Sequence, residues 1–108
     1  VEPTAESISA AASGVIPADT RTSITNADAA GAYPIATFTW MIIYKEQNYS
    51  DRSKEQATAT LNLLQYILSD EAQNITSEVH YAPLPTQAKE LCMKNLKTVT
   101  YDGMPILQ

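Results

Sequence analysis

The sequence predicts an α/β chain, and two observations carry that prediction. Apolar residues recur at helical spacing in four windows, 4–14, 53–68, 70–77 and 86–97. Between the first two lies Tyr33 to Tyr44, YPIATFTWMIIY, rich in the β-branched and aromatic residues that suit a pleated surface. Polarity barely alternates after Thr39, as in a strand covered on both faces by helices.

The helix at 4–14 has Thr4 as its N-cap, with Glu6 in the first turn where an acid suits the helix dipole. Ile8, Ala11, Ala12 and Val15 form a thin apolar stripe, and Gly14 is placed to stop the helix in a left-handed cap. Residues 16–32 read as loop, with turn chemistry at Pro17, Asn26 to Asp28 and Gly31, and a short edge strand at Arg21 to Thr25. Pro34 limits the start of the 33–44 strand to a strand end or an edge. The run is long for one strand and is expected to bend or change partners near Thr37 to Thr39.

After the polar connection Lys45 to Arg52, Ser53 and Gln56 make a capping box for the helix 53–68. Ala57, Leu61, Leu64 and Leu68 set its buried stripe, widened by Leu63, Tyr66 and Ile67. Ser69, with Asp70 and Glu71 behind it, caps the helix 70–77, whose apolar face is Ala72 and Ile75. Pro83 and Pro85 keep 78–85 extended, and Pro85 fits the first position of the helix 86–97. That helix buries Ala88, Leu91, Cys92 and Leu96, with Lys94 and Lys97 near its C-terminal end. The tail is extended around an Asp102-Gly103 turn.

Composition narrows the function classes. The 108 residues are 44% hydrophobic, which argues against disorder, while a net charge of −5 disfavours nucleic acid and anionic membrane surfaces as partners. No apolar run approaches the ~20 residues of a membrane span. The single Cys92 excludes an intrachain disulfide and a multi-cysteine zinc site, and one His, His80, leaves little for a histidine metal site. The chain opens Val-Glu-Pro, with no initiator Met and no leader pattern, and its large apolar residues gather in 33–44 and 57–68. It is therefore expected to be one flank of a larger core in a longer protein.

No catalytic set emerges. His80 has Glu78 and Asp102 as candidate carboxylate neighbours, but nothing in the sequence joins them, and a structural or surface role outweighs a catalytic one. Cys92 sits at an apolar helix position, where a packed thiol outweighs a nucleophile. Asp70 and Glu71 are helix-terminus charges before they are a dyad, and Trp40 and Tyr44 fill core before they stack a ligand. Asn48-Tyr-Ser50 and Asn74-Ile-Thr76 match the glycosylation sequon, which is frequent by chance. Glycine-rich phosphate loops are missing, and the helix starts at Thr4, Ser53, Ser69 and Thr86 are more simply caps than anion sites. No catalytic, cofactor or metal residue is assigned.

Four stretches taken together are more specific: VEPTAESISAAASG, SITNADAAGAYPIATFTWMIIYKEQ, LNLLQYILSDEAQNITSEVHYAPLPTQAKEL and TVTYDGMPIL. Their order and spacing resemble the C-terminal third of the PstS-type phosphate-binding proteins of bacterial phosphate ABC importers. The matching positions are Val1 to Thr4, Ala32 to Phe38, Leu61 to Leu68, Ser69 to Ala72, Tyr81 to Pro85 and Asp102 to Pro105, and they span nearly the whole chain. Ser69-Asp70 departs from the family's usual Thr-Gly, which touches only a helix junction.

The resemblance implies a two-lobed type II periplasmic binding protein, of which this chain is the C-terminal scaffold and hinge portion, with 33–44 crossing the hinge. The family's phosphate ligands come from segments that would precede Val1. No position here matches them, so none is assigned to phosphate. By the same resemblance, the intact receptor is exported by a signal or a lipoprotein peptide, closes on phosphate by a population shift and docks on membrane permease subunits in the periplasm or cell envelope. Separated from its other lobe, the chain is expected to expose apolar surface and to self-associate. Two further readings stand beside this one. The chain is part of a related receptor for another oxyanion or small solute, or it is an independent module that docks a partner through the 53–68 helix face. An enzyme is the least supported class, for want of a base, nucleophile or metal set.

Overall fold

The computed structural model describes all residues, 1–108, as a mixed helix and strand fold with four α-helices and a two-stranded sheet. In chain order these are α1 (Ala5–Ala11), α2 (Lys54–Ile67), α3 (Asp70–Ile75), α4 (Thr86–Leu96), β1 (Thr100–Tyr101) and β2 (Met104–Pro105). A 3₁₀ turn, Thr76–Val79, extends α3.

The helix starts follow the sequence chemistry closely. Thr4 and Ser53 accept hydrogen bonds from the N3 amides of Ser7 and Gln56, whose side chains return the bond to the cap amide. Ser69 accepts from the Ala72 amide. Each bond satisfies a donor that has no partner inside its helix. Pro85 differs from expectation by one step: it is the N-cap of α4, and Thr86 is the first helical residue. The first helix stops at Ala11, short of the expected Gly14, which needs no left-handed backbone here. The Ala12 amide closes the helix on the Ser9 and Ala10 carbonyls.

Two small cores replace a single large one. Ala11, Ala12, Ile24 and Ala36 form one, edged by Ile8, Ala27, Ala32, Tyr33 and Phe38. Leu61, Leu64, Leu96 and Val99 form the other, where α2 packs on α4 and on the tail residues Ile106 and Leu107. Only 14 of the 108 residues are buried. The radius of gyration is 15.7 Å, against about 13 Å for a compact chain of this length. The molecule is accordingly elongated, 48 × 27 × 23 Å.

The largest correction concerns 33–44. This segment forms no strand, and neither does Arg21 to Thr25. Its large side chains are not covered on both faces: Ile35, Trp40, Met41, Ile42 and Tyr44 are all exposed, Ile42 at 93%. From Thr37 through Glu46, no backbone N–H donates to any protein group. A ladder needs a neighbour at about 4.8 Å, and no other segment offers one along this stretch. A smaller correction concerns α2, where Leu63 and Tyr66 lie on the exposed side instead of widening the buried stripe.

Candidate functional site

The polar connection Lys45 to Arg52 and the C-terminal hairpin converge on Glu46. The hairpin turn uses Asp102 and Gly103, both at positive φ (53° and 76°), the backbone that a tight two-residue turn between twisted strands requires. That turn directs the Asp102 and Gly103 amides at Glu46. Glu46 Oε2 accepts from the Asn48 amide (2.8 Å) and the Asp102 amide (3.0 Å). Oε1 accepts from the Gly103 amide (2.9 Å) and the Thr100 hydroxyl (2.9 Å). The Asn48 side-chain amide also donates to the Asp102 carboxylate. Next to this cradle, the Thr100 amide donates to the Lys45 carbonyl and the Gln47 amide to the Thr100 carbonyl, each at 2.8 Å, as a single parallel bridge.

The consequence for Glu46 is electrostatic. The Asn48 amide above all, then the Gly103 amide, the Thr100 hydroxyl and the Asp102 amide hold its carboxyl at about 2, against an ordinary value of 4.5. The cradle is an anion-binding nest already filled by the chain's own carboxylate. It clamps the hairpin to the end of the 33–44 segment, with its amides taken by Glu46.

A second feature lies along that segment. An open groove of about 800 Å³ runs between Asp19 to Ser23 and Trp40 to Ile43. Its walls run antiparallel. The Asn26 amide donates to the Pro34 carbonyl, the Thr25 hydroxyl to the Ala36 carbonyl, and the Trp40 indole to the Thr20 carbonyl (3.3 Å). These pairs lie within one residue of a common antiparallel register, yet no ladder of backbone bonds joins them, so the two segments stand as a splayed hairpin. Past the groove, Ile42 and Ile43 also line a smaller pocket of about 330 Å³ with Tyr44, Gln47, Tyr49, Arg52 and Thr60. Gln47 is 1% exposed; its Nε2 donates to the Tyr44 carbonyl, but its Oε1 has no partner. Arg52 lies over the Tyr49 ring and donates to Thr60, while its buried Nε–H has no partner.

The residues weighed from the sequence are scattered over the structure. His80 is exposed in a left-handed backbone position after the 3₁₀ turn, bonded to neither Glu78 nor Asp102. Cys92 is half-buried on α4, and burial raises its thiol above the ordinary range. Asp70 pairs with Lys89 at 2.7 Å, tying α3 to α4, and that hydrogen bond and charge hold its carboxyl low. Trp40 and Tyr44 are largely exposed instead of filling core; Trp40 meets Phe38 edge-on and Tyr44 meets Tyr49. Asn48 and Asn74 are exposed. No three of the His, Cys, Asp and Glu side chains converge as a metal site would require. No helix is long and apolar enough to cross a membrane.

No family model, curated protein or solved structure matches this chain. The Glu46 cradle and the Gln47–Arg52 pocket were not anticipated from the sequence. The Asp-Gly pair marked the turn, but nothing local marked Glu46 as the acceptor over more than fifty residues of chain.

Proposed function

We propose that this chain is the C-terminal scaffold and hinge portion of the substrate-binding protein of a bacterial phosphate importer, working in the cell envelope with ABC permease subunits. The observation that carries the reading is the order and spacing of the four sequence stretches that resemble that family. Two structural features support it. After the turn at Pro34 and Ile35, the uncharged stretch 37–44 pairs with no other strand and exposes Trp40, Met41, Ile42 and Tyr44, as a hinge strand lacking its sheet would. The Asn48, Asp102 and Gly103 amides, a ready-made donor cluster, are taken by the chain's own Glu46. In this reading the chain performs no catalysis and holds no phosphate alone, because desolvating the anion needs many aligned donors.

The test is reconstitution. A PstS-type receptor truncated before its C-terminal third is mixed with this 108-residue chain and titrated with phosphate by calorimetry. Phosphate binding restored only when both pieces are present is the expected result. No restoration, or micromolar binding by the 108-residue chain alone, overturns the reading.

A further inference from the structure

We propose that Thr37–Tyr44 is a pairing edge for a second copy of this chain, which adds its own Thr37–Tyr44 antiparallel across a two-fold axis. The proposal concerns the 108-residue chain itself and does not depend on the phosphate reading.

Backbone chemistry carries the first part of the argument. The amides from Thr37 through Glu46 donate to no protein group, and 37–44 has no turn, bend or helix. Of its carbonyls, those of Phe38 and Tyr44 accept side-chain bonds. A row of free amides beside open carbonyls on an apolar segment is a template for strand addition. The adjoining pocket supports the same occupant. Gln47 Oε1 is a buried acceptor without a donor, and Arg52 Nε–H is a buried donor without an acceptor. A peptide unit offers one N–H and one C=O, the complement of that pair. A purely apolar ligand would leave both groups unmatched at the cost of their desolvation.

Side-chain chemistry selects a second copy. Tyr33 to Tyr44 contains no charged residue, in a chain of net charge −5. It is therefore a stretch that two copies can bring together without repulsion. Edge strands that stay single are usually protected by lysine, proline or a bulge. Thr37–Tyr44 contains no lysine or proline. Ile35, Trp40, Met41, Ile42 and Tyr44 together expose several hundred Å² of side chain. That is the scale of one partner's half of a standard interface, about 800 Å². An antiparallel pair of identical strands is self-complementary under two-fold symmetry, so the contact closes at a dimer. The groove between Asp19 to Ser23 and Trp40 to Ile43 gives the added strand's side chains an apolar floor.

Sedimentation velocity and hydrogen exchange test the proposal. The wild-type chain is expected to form a dimer with a micromolar dissociation constant, with amide protection rising over 37–44 as concentration rises. Ile42→Lys places a charge inside the pairing stretch of each copy and is expected to raise that constant about a hundredfold. Because Ile42 is 93% exposed, the far-UV spectrum should not change. Thr39→Pro removes one strand donor without adding charge and should abolish pairing as well. Leu63→Lys, on the exposed side of α2, should leave the dimer intact. A wild-type monomer at every concentration overturns the proposal. So does a dimer indifferent to both Ile42→Lys and Thr39→Pro, a dimer lost on Leu63→Lys, or growth past the dimer into larger assemblies.

Discussion

The two ends of this molecule are held together by different physics. Residues 1–36 close around Ala11, Ala12, Ile24 and Ala36, a cluster of mostly one-carbon side chains. Residues 45–108 close around Leu61, Leu64, Leu96 and Val99. At about 0.8 kcal/mol per buried CH₂, each leucine contributes roughly 2 kcal/mol more than an alanine in the same place. The N-terminal end compensates with polar bonds, inside α1 and across to Tyr33. Ser7, buried in α1, donates to the Thr4 carbonyl and exchanges bonds with its cap, and the Tyr33 amide reaches the Ser7 carbonyl. The C-terminal end adds polar bonds to its apolar core. Gln73, also buried, donates to the Ile67 carbonyl and accepts from the Leu84 amide, locking the turn from α2 to α4. Tyr101 reaches the Arg52 carbonyl at 2.8 Å. Leucine spacing builds a core of long side chains, whereas a small-residue stripe builds a surface suited to a bulkier neighbour.

The most disruptive way to sharpen this contrast is Leu61→Ala. Leu61 is fully buried at the centre of the helical end, and its truncation should cost about 2–5 kcal/mol in urea unfolding followed by far-UV circular dichroism. A cost under about 1 kcal/mol would mean that the helical core is not the main support. Ile24→Ala makes the parallel cut in the alanine cluster. It should cost about 2 kcal/mol, the bottom of the same range, because small neighbours collapse readily into the space left. A larger loss from Ile24→Ala than from Leu61→Ala would reverse the ranking of the two ends.

Helix caps come next. Ser53→Ala removes one half of the α2 capping box and should cost about 1 kcal/mol, read from the same unfolding curves. No change would show that α2 is held by packing alone.

Acid offers a subtler probe of the C-terminal clamp. Glu46 titrates at about 2 in the folded chain and near 4.5 when free. Its folded value is depressed, so its stabilising effect is complete above about 4.5 and fades as the pH falls toward 2. Protection of the Asp102 and Gly103 amides, measured against their intrinsic exchange rates, should therefore fall across that window in the wild type. In Glu46→Gln the protection should already be low at neutral pH and stay so on acidification. Identical profiles for the two proteins would remove Glu46 from the clamp. The smallest effect is expected at the exposed Asp70–Lys89 pair: Lys89→Ala should move the unfolding midpoint by no more than the scatter between repeats. A clear shift would make the tie from α3 to α4 a structural support in its own right.

Much of the fold was legible because its cues are local. Thr4, Ser53 and Ser69 announced three helix starts by side-chain chemistry that acts within four residues. The alternation of Ala57, Leu61 and Leu64 announced the buried side of α2. Asp102-Gly103 announced a turn, and the turn proved to join β1 to β2. Tyr33 to Tyr44 misled for a reason that the same logic explains. β-branched and aromatic residues record that a segment suits a sheet, but a strand exists only when another backbone lies beside it. The candidate site was equally hidden. Glu46 is one acid in a polar connection, and only the folded chain brings the Gly103 amide within 2.9 Å of it.

By itself, then, the sequence determined where helices begin, which sides of α2 and α4 are apolar, and where the tail must turn. Those choices are settled by bonds and contacts between residues a few positions apart. Only the tertiary structure decided that the core divides in two, that Glu46 fills its own nest, and that the most strand-like segment stands unpaired. Each of these depends on which distant backbone comes close, and residue type alone cannot encode that distance.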